Sequence, residues 1–442
     1  MKAKITNREI WSIALPIMLG NMAQTIINFT DTAFLGRLGV IALGASMLAG
    51  IFYLVFTTVA AGFAVGIQII VARRFGEKNY GRIGIIFEHG AIFVLILGLA
   101  LFSILYLFSD QLLLALINSP NIYQDAVEYI SFRQFGIVFV CFNFLYRALY
   151  VGISNTKVIT YSTAVMAVVN IVLDYCLIFG KFGFPEMGIG GAALASLCAE
   201  ISAFLYFTIY SYITLRKREF GLFKLYGLES ELMGRILKIS TPTMVQKLFS
   251  FSAWFVFFVM IEKMGEAATG ISSIVRSIYI ILITPCFAFS TATNTLVSRI
   301  IGEGELKQVF PTIGKVLMNC LLCTLPIVLI VALFPMQIAG IYTDDLTLAS
   351  LVVPSIYVIC GGTIFQCLGN AYFEAVSGTG NTSAALYLES TILAIYVLFI
   401  YLTSHFTTKV ELVWTAEIVY GALLGILCFV YMRLAKWDKK RI

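Results

Sequence analysis

The heptapeptide VARRFGE at residues 71–77 returns 226 positions later as VSRIIGE at 297–303. The same offset holds on the N-terminal side of this pair. Pro16 falls on Pro242, Met18 on Met244, Gly39 on Gly265 and Gly44 on Gly270. From 16 to 77 the ungapped comparison gives 14 identities in 62 pairs, where composition alone would give roughly a third of that. Further on, SNT at 154–156 meets GNT at 380–382. The chain is therefore read as two homologous halves, an N-lobe over 1–216 and a C-lobe over 233–442. They are joined by KREFGLFKLYGLESEL, 217–232.

What is duplicated is a membrane unit. The 442 residues are 60% hydrophobic and 12% charged, with a mean hydropathy of +0.93, a balance that soluble domains do not have. Apolar runs long enough to cross a bilayer recur along the whole chain. A β-barrel would show short alternating segments instead. The runs predict helices at 10–36, 44–74, 86–108, 125–151, 158–180, 188–215, 233–264, 269–299, 310–334, 347–377, 382–404 and 411–435. The first run follows Lys2, Lys4 and Arg8 with no small-residue cleavage site after it, so it reads as a retained span. The fold class is an all-α polytopic membrane protein, 12 transmembrane helices in two pseudo-symmetric six-helix bundles. Six is even, so both halves enter the membrane the same way. That is a parallel repeat, a plan in which two bundles rock about a central site.

Basic residues sort by side. Arg73, Arg74, Lys78, Arg82, Lys157, Arg216, Lys217, Arg218, Lys224, Arg235, Lys238, Arg299, Lys307, Lys315 and the tail from Arg433 to Arg441 fall with the N-terminus. Arg37, Lys181, Lys263 and Lys409 fall opposite. Both termini are expected in the cytoplasm, of a bacterial inner membrane. The net charge of +6 is accounted for by these loops and needs no nucleic-acid partner. The nine cysteines lie in apolar runs. Even the CxxC of Cys320 and Cys323 reads as packing. His89 and His405 have no partners at metal spacing, and no nucleotide-binding or nucleophile motif is present, so no enzyme and no resident cofactor are expected.

Polar residues inside the spans carry the functional reading. Asp31 lies about five residues from the outer end of the first span, roughly 8 Å deep at ~1.5 Å per residue. A carboxylate costs about 3 kcal/mol at mid-bilayer and less toward the interface. Asp174 is at similar depth in the fifth span, with Asn170 one turn away on the same face. Ser196 in the sixth span and Tyr129 in the fourth fall at that level too. Two carboxylates this close cannot both stay ionised unless a cation joins them: one holds a proton, or both bind a metal ion. Oxygen ligands suit H⁺ or Na⁺. In the second half the offset replaces Asp31 by Phe257, Gln24 by Ser250, Asn170 by Tyr396 and Asp174 by Ile400. Ion handling is therefore expected to be asymmetric, with the charges lost from the C-lobe. Glu374 is read as interfacial, and Lys247 and Arg276 as snorkelling or paired, with lining a cavity as the alternative. Pro16 removes a helix hydrogen bond and, with Gly20, marks a hinge in the first span.

These residues resemble those of the multidrug and toxic compound extrusion (MATE) transporters, in the branch of the DNA-damage-inducible bacterial members. The resemblance rests on ALP…Q…DT…GRLG in the first span, NxxxDYxLIFG in the fifth and GGAALAS in the sixth, and covers nearly the whole chain. It implies an inner-membrane antiporter, acting as a monomer, that exports cationic or amphipathic organic compounds in exchange for H⁺ or Na⁺. It implies a cation site at Asp31, Asn170 and Asp174, with Ser196 in place of the usual threonine and Tyr129 beside it. Gln24 and Asn28 are placed in the substrate cavity, and Pro16 at the hinge. Carboxylates that another branch carries near Ser250 and Leu368 are missing. A lipid-linked precursor flippase of the wider superfamily is the rival; it would need a cationic cavity for a pyrophosphate.

Overall fold

A computed structural model describes residues 5–117, 119–215, 220–224, 226–343 and 345–437. Lys2, Lys4, residues 216–219 and 225 of the expected linker region, and the tail from 438 onward lie outside them. The described residues form twelve helices long and apolar enough to cross a membrane. They are α1 (Asn7–Leu38), α2 (Val40–Gly76), α3 (Tyr80–Leu116), α4 (Pro120–Gly152), α5 (Lys157–Ile178) and α6 (Gly188–Thr214). The second six are α7 (Ser230–Glu262), α8 (Glu266–Gly302), α9 (Leu306–Leu333), α10 (Leu346–Gly378), α11 (Thr382–Phe406) and α12 (Val410–Leu434). Each expected span has its helix. In lipid every backbone N–H and C=O must be bonded within the segment, which leaves the helix as the solution for apolar runs of this length. Several helices outrun their apolar stretch, most clearly α3, which was expected at 86–108. Hydropathy marks where lipid ends, and a helix continues through polar end turns.

Gly39 and Gly265 stand at equivalent positions of the repeat, just before α2 and α8, with φ of +130° and +113°. Side chains rarely adopt that region, so the repeated glycine of the GRLG segment is a turn requirement.

By their contacts the residues divide into two compact units, Leu19–Met244 and Met1–Met18 with Val245–Ile442. The sequence puts the divide in the 217–232 segment; the contacts put it inside α1 and α7, after Met18 and after Met244. These two residues are 226 positions apart, so each half exchanges the same opening segment of its first helix, and the exchange falls two residues past Pro16 and past Pro242. In the unit that ends the chain, hereafter the C-unit, Trp11 Nε1 donates to Asn319 Oδ1 at 2.9 Å and its ring packs edge-on to Phe289 at 5.2 Å. Glu9 pairs with Arg299 at 2.6 Å. In the other, the N-unit, the start of α7 lies directly on α2. Thr243 Oγ1 donates to the Gly62 carbonyl at 2.7 Å. A Cβ at Gly62 would meet Met244 Cα at 2.5 Å, and one at Gly66 would meet Ser240 Oγ at 2.1 Å. Small residues permit such backbone approach between membrane helices. Gly66→Ala is expected to cost about 1–3 kcal/mol by overpacking. Gly50→Ala on the same helix, with nothing within 4 Å of its Cβ, is expected to be neutral. Thermal melting of the two variants in detergent makes the comparison.

Candidate functional site

The polar side of α1 is set by spacing. Asn21, Gln24, Asn28 and Asp31 recur at intervals of three and four residues, which puts them on one helix face. Along it Arg147 Nη2 of α4 donates to Asn21 Oδ1 at 3.4 Å, and Gln24 Nε2 donates to Asn28 Oδ1 at 3.4 Å. The stripe ends at Asp31, where α5 brings Asp174 into hydrogen-bonding reach. Asp174 is 0% exposed and Asn170 1%.

Neither carboxylate is a donor while ionised. Among the described residues Asp31 Oδ1, both Asp174 oxygens and both polar atoms of Asn170 lack a hydrogen-bond partner. Four acceptor oxygens with one unused amide donor, Asn170 Nδ2, are unstable together unless something positive enters. A proton on one carboxyl would turn the pair into a donor and an acceptor; a small cation would be ligated by the same oxygens. Tyr129 of α4 interacts with Asp31. Ser196 on α6 is nearly buried and makes no hydrogen bond to the pair among the described residues. A cavity of about 460 Å³ in this unit is lined by Leu38, Asp125, Glu128 and Met187, and not by Gln24 or Asn28. α1 runs unbroken through Pro16. A Cβ at Gly20 would make ordinary contacts, at 3.5 Å to Thr163 and 3.6 Å to Ile159, so packing does not demand glycine there.

The equivalent positions of the C-unit show what the scaffold does without charge. Phe257, in place of Asp31, stacks on Tyr396, in place of Asn170, with ring centroids 6.4 Å apart and planes at 19°. Trp414 closes against Phe257 at 4.9 Å, and all three are buried. In each unit this position of the first helix meets the fifth, as stacked rings in the C-unit and as Asp31 with Asp174 in the N-unit, so the juxtaposition of helices belongs to the repeat and the carboxylates to the N-unit.

The C-unit nevertheless carries acids at positions that the comparison with Asp31 and Asp174 does not reach. Glu389 on α11 accepts from Ser250 at 2.7 Å and Tyr420 at 2.8 Å. Glu417 on α12 accepts from Tyr279 at 2.7 Å, Tyr396 at 2.8 Å and Gln366 at 2.9 Å. Glu374, expected at the interface, is held by Asn294 Nδ2 at 2.9 Å and lies close enough to Lys247 and Glu389 to feel their charges. The repeat comparison missed these acids because it asks only about positions equivalent to Asp31 and Asp174. Glu389 and Glu417 answer to Thr163 and Gly191. Arg133, Arg147 and Glu200 were also missed in the N-unit. An ionisable residue in mid-span was the available signal for each.

A family model described as MatE matches residues 16–176 and again 242–402. The two matches are displaced by 226 residues, the offset of the internal repeat. The chain is 27% identical to a probable multidrug resistance protein NorM of Thermotoga maritima, over 98% of this chain and 94% of that one. It is 26% identical to a probable multidrug resistance protein YoeA of Bacillus subtilis, over 98% and 95%. A solved structure described as the outward-facing conformation of a multidrug resistance MATE family transporter superposes with a TM-score of 0.89. That superposition is at 22% identity and covers 98% of this chain and 96% of the other.

Proposed function

This chain belongs to the MatE family, and from that membership we propose that it is a secondary active antiporter for multidrug efflux. It exports cationic or amphipathic organic compounds in exchange for H⁺ or Na⁺ by alternating access. It spans the bacterial inner membrane with both termini in the cytoplasm, an orientation supported by the sorting of basic residues. The observation that carries the reading is the pair of half-buried Asp31 with buried Asp174, beside buried Asn170, in which Asp31 Oδ1 and both Asp174 oxygens lack donors. An ion can drive transport only through different affinities for the two conformations. A pair of facing carboxylates supplies that difference, since a change in their separation or hydration changes how tightly a cation is held. Flippase chemistry has less support. Among the membrane-embedded cations Arg133 is engaged by Glu200, Arg276 stacks over Phe258 at 5.4 Å, and Lys247 lies near Glu374 and Glu389. Arg147 donates to Asn21 and is, among the described residues, the one of these four without an acid or ring against it.

The test is reconstitution in proteoliposomes preloaded with a fluorescent organic cation, under an imposed pH gradient or an imposed Na⁺ gradient. A hundredfold gradient stores about 2.7 kcal/mol per ion. One of the two is expected to accelerate efflux at least about tenfold over the leak. Indifference to both gradients would sink antiport.

A further inference from the structure

Arg133 and Glu200 are ionisable groups of the N-unit to which the Asp31–Asp174 pair by itself assigns no task. α4 breaks into a 3₁₀ turn over Gln134–Gly136, directly after Arg133. Such a turn within a helix interrupts the side-chain packing of regular structure. Glu200 of α6 fills the gap: a Cβ at Gly136 would lie 2.1 Å from Glu200 Oε2. The other oxygen, Oε1, pairs with Arg133 Nη1 at 2.6 Å. Glu200 Oε2 has no donor among the described residues, although Glu200 is only 8% exposed.

The guanidinium lies over the ring of Tyr53 on α2, 4.5 Å from its centroid. Tyr129, one turn back on α4, lies close enough to feel its charge. Its charge is also felt at Asp31 and Asp174. One guanidinium thus contacts Glu200 and lies within electrostatic range of Asp31 and Asp174. The remaining titratable neighbours, Tyr53, Tyr129 and Cys141, are neutral at physiological pH by their ordinary values and cannot stand in for it. Arg147, also on α4, is engaged with Asn21 of α1. With all three carboxylates ionised these four groups would carry a net charge of minus two in a medium of low dielectric. A cation at Asp31–Asp174 relieves this. When it leaves, the attraction between the pair and Arg133 rises, and the planar five-donor guanidinium is suited to bridge carboxylates.

We propose that Arg133 is an internal competitor of the coupling cation, pairing with Glu200 while Asp31–Asp174 are loaded and turning to them as the ion departs. The proposal rests on the reading of Asp31–Asp174 as the coupling site. Arg133 and Glu200 are positioning residues: they act through the pair and set how readily it releases its ion.

The experiment uses the full-length protein in proteoliposomes, with R133Q/E200Q as the main variant. It removes both charges together, so neither is left buried alone, and thermal melting checks its folding. The double variant leaves the net charge unchanged, so it reads the guanidinium's move and not a lost unit charge. A charge that moves from about 10 Å to about 5 Å from its partner at an effective dielectric near 20 corresponds to roughly tenfold in affinity. Loss of the competing guanidinium favours retention of the cation. The half-saturating Na⁺ concentration is therefore expected to fall about tenfold, or the pH of half-maximal efflux to rise by about one unit, with a lower maximal rate. Arg133→Lys keeps the charge and is expected to stay near the original half-saturation. A folded double variant with unchanged half-saturation, in an assay where Asp31→Asn loses coupling, overturns the proposal and leaves the coupling site standing. If Asp31→Asn also keeps coupling, the underlying site fails and the proposal with it.

Discussion

Asp31→Asn and Asp174→Asn are each expected to bring ion-driven efflux down to the leak of empty vesicles while leaving the fold intact. The substitution keeps size and shape, so α1 and α5 still pack, and an amide supplies the donor that the buried pair lacks. Stability is expected to hold or rise slightly, because an orphan acceptor is satisfied. Coupling is another matter. Moving a two-state population from about 1:99 to 99:1 takes roughly 10⁴-fold tighter binding to the favoured state. An amide takes up no proton in the physiological range and offers Na⁺ a neutral oxygen in place of a charge, so that differential affinity disappears. Each variant resembles the loaded pair permanently, and the expected conformational bias is toward whichever state the cation favours. Efflux under the imposed gradient, measured at equal reconstitution against unmodified protein and protein-free vesicles, reads the result. Gradient-driven rates within about twofold of the original in both variants would remove the N-unit as the coupling site.

The residues that sequence reasoning found and those it missed differ in what makes them visible. Asp31 and Asp174 stood out because depth along two spans put two acids at one level, and the structure brings them into hydrogen-bonding reach. The duplication was legible because glycines and prolines recur at one offset, and Gly39 and Gly265 share a backbone conformation that explains why. The exchange of opening segments after Met18 and Met244 was not legible. An apolar period says that a turn of helix is buried but not against which neighbour, and Trp11 could not announce Phe289 and Asn319 as its partners. Arg133 and Glu200 belong to none of the quoted motifs, and their meaning depends on the 3₁₀ turn at Gln134–Gly136 that lets the carboxylate in. Hydropathy along α4 does not predict that break. Glu389 and Glu417 were hidden by the success of the repeat, since Phe257 and Ile400 at the compared positions imply an apolar lobe.

Glu417→Ala is expected to cost about 3 kcal/mol or more and to cut the yield of folded protein sharply. Glu417 is buried on α12 and collects three donors from three other helices: Tyr279 of α8, Gln366 of α10 and Tyr396 of α11. Each donor is itself buried, and stranding one costs about 1–3 kcal/mol. Tyr396 is also the ring on which Phe257 stacks, so the loss reaches the aromatic cluster that stands where the N-unit has Asp31 and Asn170. Glu417→Gln keeps one acceptor oxygen and the volume, and is expected to lose less than half as much. Both oxygens of Glu417 already have partners, whereas Glu389 has one oxygen without a donor among the described residues. This distinguishes the two acids by role. Glu417 ties four helices together and has no oxygen left for an exchanging ion, so Glu417→Gln should leave the half-saturating cation concentration unchanged while lowering the melting temperature. Melting in detergent and gradient-driven efflux on the same preparation read both quantities. A Glu417→Gln variant with unchanged melting and altered cation dependence would reverse the assignment and make Glu417 a coupling residue.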